Sequence, residues 1–388
     1  DAALAVVRLK PAKQYLREFF AVPADADAYQ ENDIMTAAAF LLGVAGQYRL
    51  PLVLLLGVGT AQGSHSGISP LAMQLQALSG TRGFACVTGA GNESGFRHHY
   101  PGRLSPDQAY EDVELRVADS TAGFSMELWA DVSELYTVGF VSPSGEVIER
   151  LPLAVGQETT VSFQLDATHI FISYQITEAS SGRFLAFLRF TAPAPGIWHI
   201  RVYPTLFVSG QFHIWLPMQE FLTEDTGFLR PDPDITITDP GNAPLLLTVS
   251  TYNHVTGSLY IHSSRGFTAT GQIKPDLAAP GVEVQGPGLP RQDGSTFSGS
   301  TREAISSSAT SPLTRKTGSS VAAAIAAGAV ASLFSWGFTQ GNDLTLTSIS
   351  VKSILIRGAD RKEAFRYPNR QWGYGTLNLY RAFLLLRE

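Results

Sequence analysis

A glycine turn followed by a helix of small residues lies near the C-terminus, at Lys316-Thr317-Gly318-Ser319-Ser320-Val321-Ala322-Ala323-Ala324-Ile325-Ala326-Ala327-Gly328. The turn is predicted to place the Ser320 hydroxyl at the helix N-terminus, where unpaired N–H groups and the helix dipole favour negative charge. An attacking alkoxide and the oxyanion that it generates are both stabilised at such a place. Taken alone, the stretch also fits an ordinary capped core helix, so other segments must decide between the two interpretations.

Four further segments occur in a fixed order along the chain. They are Val53-Leu54-Leu55-Leu56-Gly57-Val58-Gly59-Thr60, Val87-Thr88-Gly89-Ala90-Gly91-Asn92-Glu93, His262-Ser263-Ser264-Arg265-Gly266 and Lys274-Pro275-Asp276-Leu277-Ala278-Ala279-Pro280-Gly281. Together with the serine turn, they resemble the motifs of the subtilisin-like serine proteases. One such match would carry little weight, but the whole set in order is hard to reach by chance.

This resemblance implies roles for individual residues. The serine at the position of Ser320 is the nucleophile of the family, and the asparagine at the position of Asn92 donates its side-chain amide to the oxyanion, together with the Ser320 N–H. Losing one such donor costs about 3 kcal/mol of transition-state stabilisation. The substrate cleft would be walled by backbone that pairs with an extended peptide, at Gly57, Val58, Gly59, Gly89, Ala90 and Gly91.

Several stretches outside these motifs resemble one group within the family, the Csp germination proteases of spore-forming clostridia. The stretches are residues 9–13, 29–35, 62–70, 97–100 and 367–375. By this resemblance, the substrate would be the proform of a cortex-degrading hydrolase, activated by limited cleavage during spore germination. The same resemblance implies a spore-associated or extracytoplasmic protein.

Composition narrows the functional class. The 388 residues are 44% hydrophobic and 16% charged, which is typical of a globular protein with a large core. A formal net charge of −6 without a long basic run gives nucleic-acid binding little support. The single cysteine, Cys86, excludes an internal disulfide framework. No spacing typical of a metal or cofactor site occurs, so none is expected.

Sequence periodicity divides the chain into three parts. Residues 1–105 alternate strands and helices and predict a doubly wound, mainly parallel α/β sheet of subtilisin type, with a first strand at 5–9. Residues 106–232 alternate apolar and polar positions with period two, which predicts an inserted antiparallel β-sandwich with jelly-roll topology. Its expected role is structural bracing, with carbohydrate or partner binding as the alternative. Residues 233–388 are predicted to complete the α/β core.

Three stretches need separate interpretation. Residues 34–45 are too short for a membrane span and residues 321–338 are rich in small residues, so both are predicted to be buried helices, with no membrane contact. Residues 285–315 are rich in Gly, Ser and Thr, and they are predicted to form a mobile loop. That loop could be an inert surface loop, a cleavage-prone or regulatory flap, or a substrate contact.

The base and the orienting carboxylate that serine catalysis needs are not visible in this sequence. In the family both precede the strand that residues 5–9 resemble. The chain begins at Asp1 without a methionine or a signal-like segment, so we expect that its natural N-terminus is missing. For His65, a loop hydrogen bond is a better account than general-base catalysis. Either a cleaved N-terminal fragment of the same protein stays docked as a partner, or the sequence is a piece of a longer chain.

Two functions are therefore weighed. The first is a serine endopeptidase that acts on protein substrates through an acyl-enzyme. The second is a catalytically inactive pseudoprotease, a subtilase-like scaffold that binds or signals. Ser320 and Asn92 favour the first, because a binding module has no chemical need for either, whereas the lack of a visible base leaves the second open.

Overall fold

The computed structural model describes residues 2–154, 156–288 and 313–387. Helices α1 to α6 are, in chain order, Gln14–Phe19, Glu31–Tyr48, Pro70–Ser79, Ser319–Phe334, Ser348–Gly358 and Leu379–Leu384. Strands β1 to β17 are Leu52–Leu56, Phe84–Gly89, His99–Arg103, Glu111–Val117, Gly123–Ala130, Leu135–Val141, Val147–Ile148, Glu158–Ser162, His169–Gln175, Phe184–Thr191, Gly196–Leu206, Gln211–Trp215, Gly227–Phe228, Leu247–Tyr252, Leu277–Pro280, Val284–Pro287 and Leu313–Lys316.

A parallel sheet in the order β1-β2-β14-β15 forms the centre of the α/β part. Successive side chains of a strand point to opposite faces of its sheet. On β2, Ala85 and Val87 therefore pack with α4 and α5, while Phe84 and Cys86 pack with α2 and α3. All of β2 is buried, as expected for a parallel strand covered on both faces. The predicted α/β architecture with a parallel sheet is confirmed.

The β1 side of this sheet is open in the part of the chain that the structure describes. β1 pairs with β2 alone, so its other edge has no strand beside it. Leu55 on β1 is 43% exposed, and Phe40 on α2 is 61% exposed. The burial predicted for residues 34–45 is wrong for most of α2, in which Ala38 is the one buried residue. The outward face of α2 lacks a covering layer here.

The strand predicted at 5–9 is not formed. Residues 2–13 contain neither helix nor strand, and the side chains of Leu4 and Val6 are almost fully exposed. A strand needs a neighbour to satisfy its backbone N–H and C=O groups, and no described strand lies beside this segment. A strand-like sequence is therefore left without regular secondary structure.

Two antiparallel sheets follow the first part of the α/β core. Their strand orders are β3-β12-β5-β10-β9-β8 and β13-β4-β11-β6-β7. Alternate side chains of both sheets share one hydrophobic core, which includes Phe124, Phe190 and Trp198. Because β3 begins at His99 and pairs with β12, the antiparallel region starts before the boundary predicted at residue 106. Its jelly-roll topology stays a prediction.

The chain enters and leaves these antiparallel sheets at adjacent points. The backbone N–H of Leu216, which follows β12, donates to the carbonyl of His98 over 2.9 Å. The N–H of Phe228 in β13 donates to the carbonyl of Arg97 over 3.0 Å. Both contacts lie just after the segment that carries Asn92, so the insertion is attached beside that segment.

The predicted mobile loop at 285–315 overlaps a short antiparallel ribbon. β16 pairs with β17, with Gln285 opposite Arg315, so the two ends of the predicted loop are strands. Residues 289–312, on which the prediction of mobility mainly falls, lie outside the described residues. β17 leads directly into the turn before α4, as the sequence order requires.

By length and apolar content alone, one helix in the described ranges could cross a membrane, at Ser319–Thr339. It comprises α4 and a π-helical turn that follows it. Ala322, Ala326 and Val330 of α4 are buried against the parallel sheet. This helix occupies the core position predicted for residues 321–338.

Candidate active site

The N-terminus of α4 separates two neighbouring serines. Gly318 precedes the helix with a φ of 149°, a conformation that side-chain-bearing residues rarely adopt. Ser319 is buried, whereas Ser320 is exposed. The Ser320 N–H belongs to the first helical turn, which has no intrahelical acceptor, and within the described residues it makes no hydrogen bond. A free donor and an accessible hydroxyl therefore occur on the same residue.

The Ser320 hydroxyl points to the end of β1. Its Oγ donates to the carbonyl of Gly57 over 2.8 Å. A Cβ atom at Gly57 would lie 3.6 Å from both Cβ and Oγ of Ser320, so a side chain there would touch the hydroxyl. Gly57 and Gly59 are exposed and Val58 is half-buried. The serine thus faces a stretch of bare, accessible backbone.

Asn92 lies against the same helix N-terminus. The backbone N–H of Ser319 donates to Asn92 Oδ1 over 2.9 Å. Because only the carboxamide oxygen can accept this bond, the orientation of the side chain is fixed and Nδ2 is its free end. Nδ2 lies 3.5 Å from the position that a Gly318 Cβ would take, and it makes no hydrogen bond within the described ranges. Two unused donors, Asn92 Nδ2 and the Ser320 N–H, therefore lie at one helix end beside an accessible hydroxyl.

Comparison with known proteins agrees with this geometry. A family model described as the subtilase family matches residues 231–375. The solved structure of the CspB protease of Clostridium perfringens aligns with a TM-score of 0.79 and 27% identity, and the alignment covers 93% of this chain and 72% of that chain. The chain is similar to the subtilases. This family consists of serine endopeptidases, and the likeness to a Csp protease agrees with the motifs outside the catalytic segments.

Two other solved structures are much less similar to this chain. The maturation protease PagA aligns with a TM-score of 0.29 and 21% identity, over 39% of this chain and 46% of that chain. The serine protease MycP1 of a type VII secretion system aligns with a TM-score of 0.25 and 21% identity, over 38% and 34%. Neither similarity is used to assign the fold or function. A search of curated protein sequences found no match.

The predicted cleft wall at Gly89, Ala90 and Gly91 needs correction, because all three residues are buried. A Cβ at Gly89 would lie 2.7 Å from Ser319 Oγ, and the Gly91 N–H donates to that same Oγ over 3.1 Å. The glycines allow close contact between the end of β2 and the start of α4. They pack the site from behind, and Gly57, Val58 and Gly59 are the accessible part of the predicted wall.

Within the described residues, the Ser320 hydroxyl makes no hydrogen bond to a histidine: it donates to the Gly57 carbonyl. The two ring nitrogens of His65 lie 3.0 Å from Ile237 O and 2.8 Å from Ala61 O, and the ring stacks on Trp215 at a centroid distance of 3.9 Å. Burial lowers the pKa of His65 to about 4. These contacts agree with the loop hydrogen bonding predicted for His65 and do not suit a general base.

Acidic side chains near the site form no cluster with metal-ligand spacing. Within the described residues, no group of three His, Cys, Asp or Glu side chains could hold a metal ion. Asp234 pairs with Arg370 over 2.6 Å, and Asp239 accepts a hydrogen bond from Ser69.

One buried pair beside Asn92 is absent from the sequence predictions. The Glu93 carboxylate and the His98 ring lie 3.1 Å apart, with side chains that are 4% and 2% exposed. Glu93 directly follows Asn92, which was the available signal. The sequence alone cannot show whether that carboxylate points to solvent or into the protein.

Proposed function

We propose that this protein is a subtilase that cleaves protein substrates through an acyl-enzyme intermediate, with Ser320 as nucleophile. The Ser320 N–H and Asn92 Nδ2 serve as the oxyanion donors. The observation that carries the proposal is the hydrogen bond from Ser319 N–H to Asn92 Oδ1, because it engages the carboxamide oxygen and leaves Nδ2 as the available donor at the helix N-terminus that bears Ser320.

The reaction requires the Ser320 hydroxyl to leave the Gly57 carbonyl and give its proton to a base. The serine oxygen then bonds to the substrate carbonyl carbon, and the carbonyl oxygen takes the negative charge and accepts hydrogen bonds from the two donors. As the C–N bond breaks, the base returns the proton to the leaving amine. Water hydrolyses the resulting ester in a second, equivalent cycle.

Substrate binding is assigned to the backbone of residues 57–59. Gly57 and Gly59 are exposed and lie at the end of β1, next to the Ser320 hydroxyl. An extended peptide can add to such backbone as a further strand, with hydrogen bonds that do not depend on its side chains. This fits an endopeptidase better than a small-molecule hydrolase.

The base and its carboxylate are assigned to another segment of the same protein that docks against β1 and α2. The free edge of β1 and the exposed side chains of Leu55 and Phe40 support this proposal, since an open parallel edge with apolar neighbours is unfavourable in water. Intact mass analysis of the natural protein should find a companion fragment or a longer chain. A folded, soluble sample that contains only residues 1–388 would contradict the proposal.

The biological substrate is assigned by likeness to the Csp proteases. We propose limited cleavage of the proform of a spore cortex hydrolase during germination, and a spore-associated or extracytoplasmic location. Incubation of the intact protein with such a proform should cleave the proform at one site. Edman sequencing or mass analysis of the product should then identify the new N-terminus. A proform that stays intact while general peptide substrates are cleaved would refute this assignment alone.

A binding module without catalysis is the second candidate. Its supporting observation is the hydrogen bond from Ser320 Oγ to the Gly57 carbonyl, which engages the hydroxyl proton away from any base. Labelling with a fluorophosphonate separates the two functions. The intact protein should be labelled and the Ser320→Ala variant should not. Equal or absent labelling of both proteins would favour the binding module.

A further inference from the structure

A buried carboxylate lies directly behind Asn92. Glu93 Oε2 accepts hydrogen bonds from His98 Nδ1 over 3.1 Å and from the backbone N–H of Gln219 over 3.2 Å. The carboxylate requires a proton on Nδ1 of His98, which fixes the ring tautomer. A charge removed from water in this way is unfavourable unless it is well partnered. The reaction itself does not use this carboxylate, so its burial needs another explanation.

The partners of Glu93 come from both connections to the antiparallel sheets. His98 is the last residue before β3, on the path out of the α/β core. Gln219 lies after β12, on the path back, and the N–H of Leu216 donates to the His98 carbonyl. The Glu93 side chain therefore joins the outgoing and returning segments at one point.

The same residue is also tied to the segment that holds Asn92. The Glu93 N–H donates to Ser264 Oγ over 2.9 Å, and the Ser264 N–H donates to the Gly91 carbonyl over 3.0 Å. The backbone on both sides of Asn92 is thus fixed by Ser264, while the Glu93 side chain fixes the residue after it. A change at the Glu93 carboxylate must act on Asn92 through this short piece of backbone.

We propose that Glu93 and His98 are positioning residues that hold the Asn92 carboxamide at the oxyanion position. This inference rests on the proposed function, because it assigns Asn92 to the oxyanion. Neither residue contacts the substrate in this assignment. Their loss affects the transition state, in which the oxyanion is formed, and leaves substrate binding along residues 57–59 intact.

The test uses the intact protein and a matched pair of variants. His98→Leu removes the donor to Glu93, whereas His98→Asn restores an N–H at the position of Nδ1. Glu127→Gln is the control, since Glu127 is also a buried carboxylate that accepts two hydrogen bonds, from the Gly63 N–H over 2.7 Å and Trp129 Nε1 over 2.8 Å, in another part of the fold.

Hydrogen exchange of the Ser319 backbone amide reports on its hydrogen bond to Asn92 Oδ1, and the measurement does not depend on catalytic activity. In His98→Leu and in Glu93→Gln, we expect this amide to exchange about tenfold faster, because its acceptor is displaced. His98→Asn and Glu127→Gln should keep the wild-type exchange rate.

Steady-state kinetics provide a second measurement. In His98→Leu, kcat should fall about 10- to 100-fold while KM stays within about twofold of the wild-type value. In His98→Asn, kcat should return most of the way to the wild-type value.

Wild-type exchange at Ser319 in both His98→Leu and Glu93→Gln would overturn the inference. An equal acceleration in Glu127→Gln would also overturn it, since the effect would then be general loss of stability. If the wild-type protein shows no Ser320-dependent labelling, the proposed function fails. The exchange result then still decides whether Glu93 and His98 hold Asn92 in place.

Discussion

Replacement of Asn92 by alanine tests the proposed site most directly. The substitution removes Nδ2, one of the two donors at the start of α4, and it also removes the acceptor of the Ser319 N–H. Loss of an oxyanion donor corresponds to about 3 kcal/mol of transition-state stabilisation, which is roughly a 150-fold fall in kcat. The unpaired Ser319 N–H should lower the free energy of unfolding by about 1 kcal/mol in addition.

Asn92→Asp separates these two effects. An aspartate oxygen can still accept the Ser319 N–H, but the other oxygen cannot donate and carries part of a negative charge. Stability should therefore stay close to that of the wild type, while kcat falls at least as far as in Asn92→Ala. The measurements are steady-state kinetics on a peptide substrate of the intact protein and chemical denaturation of each variant. A wild-type kcat in Asn92→Asp, or a raised KM with kcat unchanged, would refute the reasoning.

The remaining predictions concern packing and pH dependence. Gly89→Ala should lower the free energy of unfolding by about 1–3 kcal/mol, since its Cβ would lie 2.7 Å from Ser319 Oγ. Gly328→Ala is the control, because its new Cβ would have no atom within 4 Å apart from the backbone of its own helix. Thermal melts should show that Gly328→Ala stabilises the protein by up to about 1 kcal/mol. Burial raises the pKa of Asp239 from 3.8 to about 6, so the folded state holds this proton more tightly and stability falls as pH rises through that range. Asp239→Asn should therefore be more stable than the wild type at pH 7.5, by up to about 3 kcal/mol, and equal to it below about pH 4. Urea denaturation that shows the same difference at both pH values would contradict this.

Local sequence patterns predicted the elements of the core well. The serine turn and α4 were predicted because a glycine followed by an alanine-rich run is typical of a turn that leads into a helix. β2 was predicted because a short apolar run bounded by turn residues suits a buried parallel strand. The strand at 5–9 failed for a reason outside the segment: its formation depends on a neighbour that the described chain does not supply.

The structure places Ser320 and Asn92 at the same helix end, as the order of the motifs had implied, and their catalytic roles stay a prediction. The burial of Gly89 and Gly91 was missed, because a glycine needed for close packing has the same appearance in a sequence as one that lines a cleft. The burial of the Glu93 carboxylate was missed because it depends partly on the backbone of Gln219, which is 126 residues away along the chain.

The two attachment points of the antiparallel sheets have a consequence for how this protein can vary. Leu216 meets His98 and Phe228 meets Arg97 through single backbone hydrogen bonds. The unit between these points therefore begins and ends at one place on the α/β part, and it makes further contacts with the segment at residues 62–65. These attachment points lie next to Asn92, so any change in the antiparallel unit would have to be compatible with the proposed site as well as with the fold.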